Sequence, residues 1–258
     1  MMLFDSHMHT RFSADSKMLM DEAVAQGREL NIGITITEHM DISYPGPLEF
    51  LFDVDQYFAE YQKYRSDCVL LGIEIGMRSD CLDENCRLIE SYPFDYVIGS
   101  VHVVDDIDIY VPEFYQGRNK QDVYRQYFAA MLQCVTCYDG IHSLGHIDYI
   151  ARYARFTDPE VYYSEFKEHI DEILRVLAGK GKALEINTRR LDRKEAIENL
   201  LAIYQRFYEV GGRLVTIGSD AHRVTEIGRS LAEGQEIADR SQLKVVYFKE
   251  GQPHYIEK

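Results

Sequence analysis

The sequence has no apolar run of the ~18 residues that a membrane-spanning helix needs. Its opening, MMLFDSHMHT, sets no basic stretch before an apolar one, so a secretory leader is not expected either. Basic residues are scarce: 28 Lys+Arg stand against 43 Asp+Glu, a formal net charge of −15. That balance argues against a long nucleic acid as partner, which demands a clustered basic surface. It leaves room for a small phosphorylated substrate, where the local field decides. Cysteine is sparse and odd in number, at five, in a chain large enough to fold without staples, so reduced thiols and the cytoplasm are expected. Cys134 and Cys137 form a C-x-x-C inside the helix-like FAAMLQCVTCYDG, with no second pair at zinc spacing, and are read as packing residues. No repeat, low-complexity tract or Gly/Ser-rich linker interrupts the chain, so residues 1–258 are read as one domain. With 46% apolar and 28% charged residues, that domain can bury a full core.

What the sequence does have is alternation. Short apolar, β-branched runs recur at 2–7, 32–39, 69–76, 96–102, 143–148, 183–188 and 213–220. Between them lie stretches with helical spacing, such as 18–30 and 161–181, the latter stopped by Gly179 and Gly181. Strand–helix alternation with nearly continuous apolar strands predicts an α/β fold of parallel strands buried on both faces. Seven such units suit a barrel or a wide open sheet. The barrel is favoured by where the polar residues fall. Nearly every run ends in a residue able to bind metal: His7 and His9, His39, Glu74, His102, His146, and Asp220 with His222. The C-terminal rim of a (β/α) barrel is where such groups converge, whereas an open sheet would spread them along an edge.

His7 and His9 are two apart on a strand, so both imidazoles fall on one side of the pleat and can share an ion. Asp220 and His222 repeat that spacing. Glu74 sits in G-I-E-I-G, and a carboxylate in so apolar a strand is costly unless paired or metal-bound. Asp148, two after His146, is read as orienting a histidine through its other nitrogen. His142, His169 and His254 are read as solvated or locally bonded. Nitrogen and oxygen ligands without thiolate suit Zn, Mn or Fe.

In this order, H-M-H-T-R-F-S-A-D-S, T-E-H, G-I-E-I-G, I-G-S-V-H, G-H-I-D, E-I-N-T and I-G-S-D-A-H resemble the PHP (polymerase and histidinol phosphatase) phosphoesterases. The resemblance runs from Asp5 to His222. It implies a distorted (β/α)7 TIM-like barrel with three divalent ions at the C-terminal rim. By matching motif, His7, His9, Glu74 and Asp220 would hold the first ion, and Glu74 would bridge to a second held by His102 and His146. His39 and His222 would hold the third. Asp15 stands where many members place a histidine; F-S-x-D-S makes it a ligand candidate, against the alternative of capping a helix that starts near Lys17. In chain length and motif order the resemblance is to the stand-alone members of that family, and it implies hydrolysis of L-histidinol phosphate, a step of histidine biosynthesis.

Two ions that acidify a water and clamp phosphoryl oxygens suit such a reaction. Glu74, Asp220 and His222 are the catalytic candidates, with Asp220 or an adjacent histidine protonating the leaving alkoxide. Phosphate oxygens away from metal want arginine forks, and Arg152, Arg155, Arg189 and Arg190 follow the appropriate strands. For the cationic alcohol moiety the acidic rim offers Glu38, Asp41 and Asp105. Two rivals remain at this level. One is a PHP phosphoesterase acting on nucleotides; the other is a metal-binding protein without turnover.

Overall fold

The computed structural model describes residues 2–256. Its strands are β1 (Phe4–Asp5), β2 (Gly33–Met40), β3 (Val69–Gly76), β4 (Tyr96–Ser100), β5 (Val103–Val104), β6 (Ile107–Asp108), β7 (Ser143–Leu144), β8 (Ala183–Asn187), β9 (Leu214–Gly218), β10 (Lys244–Lys249) and β11 (Gln252–Tyr255). The α-helices are α1 (Met20–Leu30), α2 (Val54–Tyr61), α3 (Leu82–Ser91), α4 (Lys120–Cys137), α5 (Ile150–Tyr153), α6 (Lys167–Gly179), α7 (Lys194–Glu209) and α8 (Leu231–Arg240). All seven expected strands form, but β1, β4, β7 and β9 stop short of the expected tips, so His7, His9, His102, His146, Asp220 and His222 lie in the segments just past them rather than on strands.

Strands β1, β2, β3, β4, β7, β8 and β9 pair in that order and in parallel. The ring then returns on itself. Ser6 N donates to Ile217 O, Asp220 N to His7 O and His9 N to Ala221 O, each at 2.8 Å. This is the distorted (β/α)7 barrel that the motif pattern predicts. Every residue of β3 is buried, because side chains on one face fill the barrel and those on the other meet helices. The helices supply matching stripes: α6 buries Ile170, Ile173, Leu174 and Leu177, the spacing of one helical face. Gly181 takes the left-handed conformation (φ 65°) just past that helix, as expected. The helix itself starts only at Lys167, not at 161. The preceding aromatic segment folds into turns that bury Val161 and Phe166 against the core.

Strands β10 and β11 are not among the seven runs. β10 pairs with β9 only at Leu214 and Val215, below the level where β1 closes the ring. It turns back antiparallel into β11, so His254 lies in a strand rather than a loose tail. The hairpin covers the N-terminal end of the barrel: Tyr247 stacks on Phe4 at 3.9 Å, and Phe248 on Tyr96 at 5.4 Å and His142 at 4.9 Å. All five cysteines are free, with Cys134 buried and Cys137 exposed on α4. Among the described residues no helix is long and apolar enough to cross a membrane.

Candidate metal centre

Glu74 lies at the centre. It is fully buried on β3, in register with His39 on β2. Five imidazoles surround its one carboxylate. His39 Nδ1, His7 Nε2 and His9 Nε2 lie 2.9, 3.3 and 3.4 Å from Oε2, and His146 Nε2 and His102 Nε2 lie 3.1 and 3.4 Å from Oε1. Ser100 Oγ donates to Oε1 at 2.6 Å. Yet Glu74 Oε2, His39 Nδ1, His102 Nε2 and His146 Nδ1 are buried without a well-directed hydrogen bond. Each such orphan costs roughly 1–3 kcal/mol, so Glu74 Oε2, His39 Nδ1 and His102 Nε2 gathered about one carboxylate are unfavourable unless something else binds there. A divalent cation is what fits a carboxylate ringed by imidazole nitrogens.

The outward nitrogens are tied down. His7 Nδ1 pairs with Glu185 Oε1 at 2.6 Å, His102 Nδ1 with Asp41 Oδ1 at 2.7 Å, and His9 Nδ1 with Ser13 Oγ at 3.1 Å. With those positions engaged, the Nε2 atoms of all three rings point inward, and those of His7 and His9 stand 3.1 Å apart. A histidine ligand fixed through its far nitrogen is the usual construction of a metal site. Room for it comes from Gly218, where an added Cβ would lie 2.4 Å from His7 Cβ and 2.7 Å from Glu185 Oε1. Burial alone would raise the Glu74 carboxyl, but His7, His39 and His102 outweigh it and hold it well below the usual range. Burial would lower His39, but Glu74 and Asp15 push it up to about 10.

Asp220 follows β9 in the left-handed region (φ 56°), a conformation uncommon for a residue with a side chain and one that clusters at functional sites. Its Oδ1 lies 3.5, 3.6 and 3.8 Å from His9 Nε2, His222 Nδ1 and His7 Nε2. Asp15 Oδ2 stands 3.0 Å from His222 Nε2 and 3.7 Å from His39 Nε2. It caps no helix, since α1 begins at Met20 after Leu19. Ligand atoms gather in four groups whose members lie within 4.8 Å of one another: His7–His9–Asp220, Glu74–His102–His146, His9–His39–His222 and His39–Asp41–His102. All nine residues that the sequence pattern marks as metal ligands thus come together.

The other candidates divide. A cavity of about 390 Å³ opens on the cluster, lined by Arg152, Arg189 and Arg223 beside Asp220 and His222. Arg152 Nη1 donates to Asp220 Oδ2, and Arg189 Nη1 to Asp220 O at 2.7 Å. Arg155 is exposed and does not line this cavity. Arg190 is turned elsewhere: its guanidinium donates to Asp148 Oδ2 at 2.5 Å and Glu160 Oε1 at 2.6 Å. Asp148 therefore orients no histidine; Glu185 and Asp41 do. Glu38 is buried beneath Thr10 and Ser13 and accepts from both, while Asp105 is exposed and bonded to Gln126, so neither faces the cavity. Glu185 and Ser13 are not among the sequence candidates, although Glu185 interrupts apolar A-L-E-I-N just as Glu74 interrupts G-I-E-I-G.

A parallel α/β barrel whose strand tips gather histidines and carboxylates around one buried glutamate defines a metal-dependent hydrolase. The PHP domain family matches residues 5–189, and the chain belongs to that family. A "Probable histidinol-phosphatase" of Clostridium acetobutylicum is 48% identical, the match covering 96% of this chain and 97% of that one. A "Histidinol-phosphatase" of Lactococcus lactis is 38% identical over 84% of this chain and 83% of its own. A crystal structure of histidinol phosphate phosphatase from Lactococcus lactis, complexed with zinc, L-histidinol and phosphate, superposes with a TM-score of 0.93 at 33% identity, covering 98% of each chain. Asp220 and His222 lie beyond the matched family segment, yet fold onto it.

Proposed function

We propose that this chain hydrolyses L-histidinol phosphate to L-histidinol and phosphate, in histidine biosynthesis. The observation that carries the reading is the buried Glu74 carboxylate ringed by five histidines beneath an arginine-lined cavity. High-identity relatives of nearly the same length bear that activity in their names. Three divalent ions (Zn, Mn or Fe) fit the ligand groups: His7, His9 and Asp220 with Glu74; Glu74 with His102 and His146; and His39 and His222 with Asp15. Ions bound there would supply Lewis acidity and an acidified water for in-line attack on phosphorus.

The chain's own residues do the rest. Arg152 and Arg189 direct guanidinium donors toward the cavity and neutralise a phosphate held in it. Asp220 and His222 border the same space, and a proton taken up there from the attacking water would be the one passed to the leaving alkoxide. Because ligands come from β1 through the turn after β9, residues 1–258 act as one catalytic domain. Five free cysteines support a reducing, cytoplasmic setting.

The test is phosphate release by protein reconstituted with Zn, Mn or Fe, comparing histidinol phosphate with a panel of nucleotide monophosphates. Histidinol phosphate should be the best substrate, and metal analysis should find more than two ions per chain. Much faster cleavage of a nucleotide would overturn the substrate, and one ion or fewer would overturn the three-ion centre.

A further inference from the structure

A second cavity, of about 570 Å³, meets the first and shares with it Asp15, His39, His102, Tyr149 and Tyr153. The two have opposite character. The first is lined by three arginines; the second has no lysine or arginine in its wall, and carries four aspartates among aromatic rings. Three of those aspartates already have a cationic or imidazole partner: Asp15 faces His222, Asp41 pairs with His102, and Asp106 with Arg78. Asp108 does not. It is 7% exposed, yet its partners are neutral donors, the Tyr44 hydroxyl and Tyr110 N at 2.8 Å. Among the described residues no Lys, Arg or His forms an ion pair with it. A nearly buried carboxylate without a counter-ion is costly, and a cation entering the cavity removes that cost. Tyr44, Phe50, Tyr110 and Tyr153 line the same cavity, and aromatic rings also favour a cation.

We propose that Asp108 is a specificity residue that receives the ammonium group of the alcohol moiety, with Tyr44 holding its carboxylate in place. This rests on the phosphatase reading above. Phosphate belongs to the arginine cavity and is repelled from the aspartate one, so an ester spanning both must be anionic at one end and cationic at the other. Anionic or neutral alcohol phosphates are thereby disfavoured by charge as well as shape. Asp108 takes the part that the sequence pattern offers to Glu38, Asp41 and Asp105.

The experiment is a cycle of substrate and protein changes on the metal-loaded enzyme: histidinol phosphate and its N-acetyl derivative, each with wild type and Asp108→Asn. N-acetylation should lower kcat/KM of the wild type by about 10- to 150-fold, the range for a charge-assisted contact, and should cost the variant little. Binding of L-histidinol, read by calorimetry, should weaken in the variant by a similar factor, while binding of inorganic phosphate does not follow it. The N-acetyl comparison on wild type needs no variant, so it decides the matter even if Asp108→Asn folds poorly: a penalty below about threefold overturns the assignment. An equal penalty in both proteins overturns it too. If wild type hydrolyses histidinol phosphate and the cycle shows no coupling, this inference alone falls; if it releases no phosphate from that ester, the functional reading falls and takes this one with it.

Discussion

Histidines pack at both ends of the barrel, in opposite circumstances. At the N-terminal end, His142 accepts a hydrogen bond from Val97 N at 2.9 Å through Nδ1 and stacks on Phe248. Neighbouring Tyr96 shares a hydrogen bond with Thr216 at 3.0 Å. At the C-terminal end, His39 Nδ1 and His102 Nε2 are buried without a hydrogen-bond partner and both face the Glu74 carboxylate, which His146 meets through Nε2 at 3.1 Å. Degree of burial does not separate a structural histidine from a functional one, since His142 and His39 are both half-buried. What the nitrogens meet does: His142 Nδ1 finds a backbone N–H, whereas buried nitrogens left facing a shared carboxylate point to a missing ligand.

The largest effect that tests this contrast is expected at Glu74. Glu74→Gln keeps the shape and removes the charge that two ligand groups share. Metal content should fall by at least one ion per chain, and kcat/KM should fall by well over the ~10- to 100-fold that loss of a residue merely orienting a ligand costs. Glu185→Gln, which leaves the cluster intact but gives His7 Nδ1 a neutral acceptor in place of a charged one, should stay within that smaller range. Metal analysis beside phosphate release separates the two. Near-normal turnover in Glu74→Gln breaks the contrast, because the central carboxylate would then be as dispensable as any buried polar group.

The arginines sharpen it on a smaller scale. Arg152→Ala and Arg189→Ala should lower kcat/KM by about 10- to 150-fold with metal content kept, at least one of them reaching that range. Arg190→Ala should act on stability instead. It strands the nearly buried Asp148, while Glu160 keeps Arg193 at 3.0 Å, and breaking a buried pair costs about 3–5 kcal/mol in denaturant unfolding. Arg155→Ala should do neither. If Arg190→Ala loses turnover at unchanged stability, its guanidinium serves the substrate rather than Asp148 and Glu160.

How much of the molecule is legible in the sequence follows from what a strand fixes. His39 and Glu74 lie within β2 and β3, where pleat and register set their direction, whereas His7, His9, His102, His146, Asp220 and His222 lie two to four residues past their strands and are gathered by the motif order instead. Residues a few positions past the tip have no such frame. Arg189 and Arg190 are adjacent, yet one lines the cavity and the other is locked onto Asp148, because the turn after β8 sends them apart. Asp148 departs from its expected role for the same reason. Glu185 is legible in principle, since its apolar setting matches that of Glu74. Strand β10 escapes the pattern because seven strands already account for the ring, and nothing in K-V-V-Y-F-K reveals that it serves the closed end. Asp108 sits on the β5–β6 ribbon, outside every motif, and its lack of a counter-ion exists only in the folded chain.

The smallest effect, and the one that isolates the satisfied end of the barrel, is the pH dependence of stability through His142. Burial, followed by the charge of Lys182, lowers this histidine from 6.5 to about 4. The folded state thus holds the ring neutral, as its role of accepting from Val97 N requires. A depressed histidine contributes stability that is fully present above the unfolded value. It is lost as pH falls from about 6.5 towards 4, where the unfolded chain binds a proton that the native one refuses. At 1.36 kcal/mol per pKa unit, wild type should lose about 2 kcal/mol between pH 7 and pH 5 through this residue alone. His142→Gln removes the titration while keeping an acceptor within reach of Val97 N. Urea unfolding of both proteins at the two pH values, with chelator present so that ligand histidines behave alike, gives the difference directly. The gap between them should narrow by about 2 kcal/mol on acidification, with metal binding at pH 7 unchanged by the substitution. A gap that stays constant would mean that His142 gains its proton in the fold as readily as outside it, and the two ends of the barrel would then not differ in how they satisfy their histidines.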